Sequence, residues 1–246
     1  MQKFSVFADN SRELYFFGNK VHNGKDFFLS SNSTEQGVEF LIFLDSRGIS
    51  KGFDKSLVKE ILNFIQEKSY VIICRPLMLT TWATLYNFLL LNKISPKLII
   101  TNVGFVDFTP KKKSILQDSM EQIEFAMGRD IAKCEYIEDY LLNSGNIAPI
   151  FMMKYQKEFK AKIEKRLSLN NGKTIVINTP PCNTNIKRER PGSFYQGVKE
   201  ANKFNRLLEK VKVIDFDDFD SKHTYDGVHY TIFGNKIIMN KLKRYL

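Results

Sequence analysis

The sequence predicts an α/β fold in which a parallel sheet is covered by helices on both faces. Short apolar runs alternate along the chain with segments whose apolar residues recur at helical spacing, and this alternation is typical of a parallel sheet with crossover helices. The runs are nearly continuous in Val, Ile and Leu. Strands of this composition are expected where both faces of a parallel sheet are buried.

Five strands and their helices follow in order along the chain. The strands are predicted at residues 38–44, 70–74, 97–101, 174–178 and 211–216. Helices are predicted at about residues 57–65, 79–91, 114–169 with breaks near Gly128 and Gly145, 194–208, and from Thr231 onward. Residues 1–37 fit the alternation least well, and we expect them to form a small hairpin at the edge of the sheet.

Length and composition favour one domain over residues 1–246. A chain of 246 residues with 43% hydrophobic content can bury a single core. The formal net charge of +10 would suit a nucleic-acid partner, but the lysines are spread along the chain and no recognised nucleic-acid-binding motif is present. We therefore do not expect nucleic-acid binding. Only two short basic patches, at 111–113 and 187–190, are candidates for contacting an acidic ligand.

The cysteines and the apolar segments predict a cytoplasmic protein. Cys74, Cys134 and Cys182 show neither metal-ligand nor redox spacing, which favours a reducing compartment. Residues 1–17 lack the uninterrupted apolar core of a signal peptide. The most apolar segment, residues 76–91, is about a turn shorter than a membrane span and contains polar side chains. We expect no membrane partner, no metal and no cofactor.

Polar residues of catalytic type follow three of the predicted strands. Ser46 comes directly after the first strand, Asp107 lies just past the third, and Asp226 and His229 lie between the fifth strand and the last helix. In an open parallel sheet, ligands bind at the carboxyl ends of the strands. Serine needs a base within hydrogen-bond reach, and that base needs a group that fixes its tautomer. Ser46, His229 and Asp226 are therefore the candidate catalytic triad.

A second Asp-x-x-His segment competes for the role of the base. Asp220 and His223 have the same spacing as Asp226 and His229 and lie six residues earlier. We prefer His229 because it directly precedes the opening of the last helix, which would anchor it. Gly227 also permits a tight turn between Asp226 and His229.

Three sequence blocks resemble the SGNH (GDSL-type) hydrolases. The chain has Leu44-Asp45-Ser46 after the first strand, Gly104-Phe105-Val106-Asp107 after the third, and Asp226-Gly227-Val228-His229 before the last helix. That family carries a Gly-Asp-Ser-Leu-like, a Gly-x-Asn-Asp and an Asp-x-x-His block at these places, so the resemblance covers residues 38–246. It implies a three-layer, flavodoxin-like domain with strand order 2-1-3-4-5, and Ser46 as a nucleophile that forms an acyl-serine.

The sequence departs from that family at the oxyanion hole. Val106 stands where the family has an asparagine, and residues 76–79 hold no counterpart of the donor glycine. One oxyanion donor is worth about 3 kcal/mol, or about a hundredfold in rate. Arg75, Gly104 and Asp107 are the candidates for oxyanion or substrate binding, and we expect Arg75 or a backbone amide near Met78 to point into the same pocket. An alternative for Asp107 is that it holds its loop through backbone amides.

The resemblance implies an esterase or an O-acyltransferase, with acetyl the expected group. The substrate would be an ester of a carbohydrate or a similar small molecule. Because the oxyanion residues are missing, the alternative is a catalytically silent SGNH-like domain that binds a glycan or a protein.

Overall fold

The computed structural model describes residues 21–23, 26–31, 37–49, 52–65, 67–75, 79–109, 111–128, 146–147, 151–180, 192–217, 219–220 and 222–246. The strands are β1 (Val21–Asn23), β2 (Asp26–Ser30), β3 (Phe40–Leu44), β4 (Tyr70–Cys74), β5 (Leu98–Thr101), β6 (Lys111–Lys112), β7 (Asn146–Ile147), β8 (Lys173–Ile177) and β9 (Val211–Ile214). The helices are α1 (Leu57–Phe64), α2 (Trp82–Leu91), α3 (Phe105–Phe108), α4 (Lys113–Met127), α5 (Phe151–Leu169), α6 (Gly192–Leu207) and α7 (Ile232–Leu242).

The main sheet has seven strands in the order β1-β2-β4-β3-β5-β8-β9. The predicted α/β fold with a mostly parallel sheet is confirmed, but the predicted count of five strands is wrong. An antiparallel hairpin of β1 and β2 adds to the edge of β4, so the full order also departs from 2-1-3-4-5. That arrangement is found only among the five parallel strands, β4-β3-β5-β8-β9. Strands β6 and β7 form a separate two-stranded sheet.

Helices cover both faces of the main sheet. One face buries side chains of β3, β4, β5 and β8 together with α2, α4, α5 and α6; on the sheet it contributes Leu41, Phe43, Val71, Ile73, Ile99 and Val176. The other face packs against α1 and α7 and contributes Ile42, Leu44, Ile72, Cys74, Ile100, Ile175 and Ile177. Successive residues of a strand point to opposite faces, so two covered faces require the continuous apolar runs seen in the sequence.

Hydroxyl side chains cap three of the helices. The side chains of Ser56, Thr81 and Thr231 accept hydrogen bonds from the backbone N–H of Lys59, Thr84 and Gly234, at the starts of α1, α2 and α7. Each cap satisfies an N–H that has no partner within its helix. The last helix therefore begins at a defined point, which fixes the chain just before it.

The long helical region expected from 114 to 169 is divided. Helix α4 ends at Met127, and Gly128 follows with a φ of 69°, a left-handed conformation that favours glycine and ends helices. The second expected break, at Gly145, lies outside the described residues. None of the described helices is long and apolar enough to cross a membrane.

Candidate active site

Ser46 lies on a tight turn at the carboxyl end of β3. The strand ends at Leu44, and residues Ser46–Ile49 form one 3-10 turn in which the Gly48 N–H donates to the Asp45 carbonyl at 2.9 Å. A side chain at Gly48 would place its Cβ 2.8 Å from the Leu44 Cβ, so the turn can close this tightly only with glycine there.

The side chains of Ser46, His229 and Asp226 form one hydrogen-bonded chain. Ser46 Oγ is 2.9 Å from His229 Nε2, and His229 Nδ1 is 2.7 Å from Asp226 Oδ2. When Nδ1 carries the ring proton and donates it to the Asp226 carboxylate, Nε2 is free of a proton and accepts from the serine hydroxyl. An imidazole held in this way can take the hydroxyl proton while the carboxylate keeps the ring in place.

The Asp226 carboxylate is fixed by the loop that carries it. Its Oδ1 accepts from the backbone N–H of Val228 at 3.1 Å and of His229 at 2.8 Å. Gly227, with a φ of 81°, makes this turn possible. Burial alone would raise the pKa of Asp226, but the hydrogen bonds from His229 and Val228 and the attraction of the His229 ring hold that pKa well below its usual range.

The competing histidine, His223, has other contacts. Its Nδ1 accepts from the Asp220 N–H at 3.0 Å, and its ring packs on Phe219 with the ring centroids 4.9 Å apart. The His223 carbonyl accepts from the Thr231 N–H at 2.9 Å. His223 is buried and secures the start of α7, whereas the imidazole within hydrogen-bond reach of Ser46 is that of His229.

The two residues next to Ser46 in the sequence, Asp45 and Arg47, form a buried ion pair. The sequence alone did not predict this pair. Arg47 is fully buried, and its Nε lies 2.9 Å from both carboxylate oxygens of Asp45. Its Nη1 donates to Thr179 Oγ1 at 2.7 Å and its Nη2 to the Asn102 carbonyl at 2.8 Å. The Asn102 side chain donates in turn to Asp45 Oδ1 at 2.8 Å.

This cluster joins the carboxyl ends of three parallel strands. Asp45 follows β3, Asn102 follows β5, and Thr179 follows β8 by two residues. The Arg47 guanidinium also lies over the ring of Phe105, 4.9 Å from its centroid. The sequence does show opposite charges on either side of Ser46, but charged residues are seldom fully buried, so this pattern alone does not predict a buried ion pair.

Tyr230 belongs to the same buried region. Burial raises the pKa of Tyr230 to about 12, although the nearby positive charge of Arg47 acts to lower it. Its phenol therefore stays neutral beneath the site.

Asp107 and Gly104 are engaged with each other. The Asp107 carboxylate is buried and accepts from the backbone N–H of Gly104 at 2.9 Å and of Trp82 at 3.2 Å. These contacts match the alternative in which Asp107 holds its loop through backbone amides. Gly104 has a φ of 105°, and a Cβ there would lie 3.0 Å from the Asn205 side chain. The Gly104 N–H is thus donated within the protein.

Arg75 lies level with the residue that precedes Ser46. Its strand pairs Cys74 with Leu44, so Arg75 follows at the height of Asp45 on the neighbouring strand. Its backbone N–H donates to the Leu44 carbonyl at 2.8 Å, and its φ is 56°. Residues 76–78, where a backbone donor near Met78 was expected, lie outside the described residues.

Tyr225 stacks on the histidine of the triad. The two rings are nearly parallel, at 15°, with their centroids 5.5 Å apart. The Tyr225 N–H donates to the His229 carbonyl at 3.1 Å, which holds the two residues face to face. Tyr225 is nonetheless 42% exposed. Nothing in the sequence singled out this residue.

In the described part of the chain, no three His, Cys, Asp or Glu side chains come together in a way that could hold a metal ion.

Comparison with known proteins gives a structural similarity only. No protein-family model matches the sequence, and no curated protein matches it. Among solved structures, the chain is similar to Est1E from Butyrivibrio proteoclasticus, with a TM-score of 0.42 and 9% identity over 99% of this chain and 96% of that one. A similarity of this size defines neither a family nor an activity.

Proposed function

We propose that the protein is a serine-dependent acyl-ester hydrolase or O-acyltransferase that works through an acyl-serine. The observation that carries the proposal is the chain of hydrogen bonds from Ser46 Oγ through His229 to Asp226, at 2.9 and 2.7 Å. These distances are within the range at which a proton passes between a nucleophile and its base.

In the proposed reaction, His229 Nε2 first accepts a proton and then donates it. Ser46 Oγ attacks the acyl carbon while its proton moves to His229 Nε2. As the ester C–O bond breaks, Nε2 returns that proton to the departing alcohol oxygen, which leaves the acyl group on Ser46. Water or a second alcohol then attacks the acyl carbon by the same route and regenerates the serine hydroxyl.

The negative oxygen of the tetrahedral intermediate needs hydrogen-bond donors. Val106 has no polar side chain, and the Gly104 N–H donates to Asp107. We therefore assign this role to the Ser46 backbone N–H, at the start of its 3-10 turn, and to Arg75, at the end of the strand beside β3.

The apolar side chain of Val106 and the hydrogen bond from the Gly104 N–H to Asp107 favour a second candidate function. A site with an apolar residue at one oxyanion position and an engaged amide at another would suit a catalytically silent domain that binds a glycan or a protein. The two candidates differ in whether Ser46 reacts with an electrophile.

A serine-reactive fluorophosphonate probe separates the two functions. We expect the wild-type protein to be labelled at Ser46 and the Ser46→Ala variant to remain unlabelled, with the site identified by peptide mass spectrometry. Ser168→Ala is the matched control, because Ser168 is an exposed serine on α5 whose hydroxyl donates to the Glu164 carbonyl. A folded wild-type protein that neither reacts with the probe nor hydrolyses short acyl esters would support the silent domain instead.

The choice between hydrolase and transferase is made by the acceptor. With an O-acetyl sugar as donor, a hydrolase releases acetate at a rate that an added sugar alcohol does not change. A transferase moves the acetyl group onto that alcohol. Mass spectrometry of the products distinguishes the two.

A further inference from the structure

The ring of Tyr225 stacks on the imidazole that would protonate the leaving group. Its stack on the His229 ring places an aromatic surface next to the base, and 42% of the residue is exposed. A large aromatic side chain left this accessible at a candidate active site can contact a ligand as well as the histidine.

The proposed chemistry fixes which part of an ester comes near this surface. His229 Nε2 faces Ser46 Oγ at 2.9 Å and would return the proton to the alcohol oxygen as the C–O bond breaks. The alcohol part of the ester must therefore lie against His229. The carbonyl oxygen points in another direction from the reacting carbon, toward the groups proposed to hold the oxyanion.

We propose that Tyr225 is the binding surface for the alcohol part of the substrate and that this alcohol carries a flat-faced ring, either a pyranose or an aromatic ring. This inference rests on the proposed function. Tyrosine offers a rigid contact area at a low cost in conformational entropy, and a ring with a flat face, whether aromatic or the C–H face of a pyranose, buries more of its own surface against tyrosine than a short chain does.

The loop that carries Tyr225 is held in place by backbone contacts. The Tyr225 N–H donates to the His229 carbonyl, and the adjacent residues Thr224 and Tyr230 form a β-bridge, Thr224 just before Tyr225 and Tyr230 just after His229. The backbone of Tyr225 is therefore held next to that of His229, and the Tyr225 ring stacks on the imidazole.

A set of acetyl esters that differ only in the alcohol tests this inference. We would measure kcat and KM for methyl acetate, phenyl acetate and a methyl 6-O-acetylpyranoside with wild type and Tyr225→Ala, and take the ratio of kcat/KM for each ester, so that the intrinsic reactivity of the ester cancels. We expect the loss to be about three- to tenfold larger for at least one ring ester than for methyl acetate. The extra loss should appear in KM, and the ester that shows it identifies the ring.

Two further variants complete the test. Tyr225→Phe keeps the ring and should restore the preference for ring esters. Tyr245→Ala is the matched control, because Tyr245 is a partly exposed tyrosine beyond the far end of α7, roughly 16 Å of helix away from its start. It should change none of the three ratios.

Two outcomes would overturn the inference alone: equal losses on all three esters, which would mean that Tyr225 only positions His229, or no loss on any of them. If the wild-type protein neither turned over these esters nor reacted with the fluorophosphonate probe, the proposed function would fail as well.

Discussion

Ser46 stands between two buried residues of opposite charge. Asp45 is 4% exposed and Arg47 is fully buried. Arg47 Nη2 lies 2.8 Å from Asp45 Oδ2, so the two residues on either side of Ser46 form an ion pair. Both neighbours are anchored by several hydrogen bonds. The backbone of Ser46 is therefore held on each side, and the freedom that remains to its hydroxyl is mainly rotation toward His229.

The triad should behave as one unit when it is mutated. We expect Ser46→Ala and His229→Ala each to remove most ester turnover, and the double variant to be barely slower than either single one, because a nucleophile without its base gains nothing from being present. Steady-state rates on a short acyl ester measure this.

His223→Ala provides the control for that experiment. His223 bonds to Asp220 and packs on Phe219, so its loss should lower stability while the folded fraction keeps nearly full activity. An inactive His223→Ala together with an active His229→Ala would reassign the base to His223.

The lowered pKa of Asp226 predicts how stability depends on pH. The folded carboxyl holds its proton less tightly than the unfolded one, whose pKa is about 3.9. Its contribution to folding is therefore complete above about pH 4 and is lost as the pH falls toward the folded pKa. Asp226→Asn should be less stable than wild type at pH 7, and the difference should shrink below about pH 4.

Urea unfolding of both proteins across pH 3 to 7 measures this difference. A gap that stayed constant over the whole range would show that the charge of Asp226 contributes nothing to folding.

At the scale of elements, the Arg47 cluster connects strand ends that share no loop. It joins the residues after β3, β5 and β8 through the Asp45 carboxylate, the Asn102 carbonyl and the Thr179 hydroxyl. Backbone ladders already align these strands. The cluster adds a polar connection at the edge where Ser46 lies, so that edge is stiffer than strand pairing alone would make it.

Replacement of Arg47 should therefore be costly. Arg47→Met keeps much of the side-chain volume but leaves the buried Asp45 carboxylate without its cation, and we expect a loss of about 3–5 kcal/mol in the free energy of unfolding. Lys97→Met is the control, because Lys97 forms an exposed pair with Glu39 and should cost less than about 1 kcal/mol. Chemical denaturation measures both, and equal small effects would contradict the role given to Arg47.

The parallel strands could be predicted because their signal is local. Residues 97–101 combine Leu, Ile and Thr between Pro96 and Asn102, and the structure has a strand at Leu98–Thr101. Strands β1 and β2 could not be given bounds in this way. They have only three and five residues, and their pairing with β4 depends on distant residues that no local pattern reveals.

The residues of the candidate site also differ in whether the sequence indicates them. Ser46, Asp226 and His229 could be chosen as candidates from the sequence because their chemistry and their positions at strand ends restrict the choice. Arg47 and Tyr225 could not, because their roles depend on contacts. Arg47 meets Thr179 across 132 residues of sequence, and Tyr225 meets His229 through a ring stack in a polar loop.

At the scale of the whole molecule, the two edges of the sheet are protected differently. Strand β4 is apolar and nearly all buried, and as an edge it would offer its backbone groups to another chain. The β1–β2 hairpin pairs with it instead, so that among the strands of the described residues the edge on this side is β1, which has three residues. The opposite edge is β9, a short strand that carries Lys212, and a charged side chain of this kind discourages further pairing.

The hydrogen bond between Ser46 and His229 joins residues that are 183 positions apart, and this separation has a consequence during biosynthesis. At about 5–20 residues per second, a ribosome that has just added Ser46 needs roughly 10 to 40 s more to reach His229. Throughout that interval the nascent chain carries a serine with no base to activate it. A growing or prematurely released polypeptide would therefore lack the proposed activity toward esters, and that activity could begin only once α7 had docked and brought His229 to Ser46.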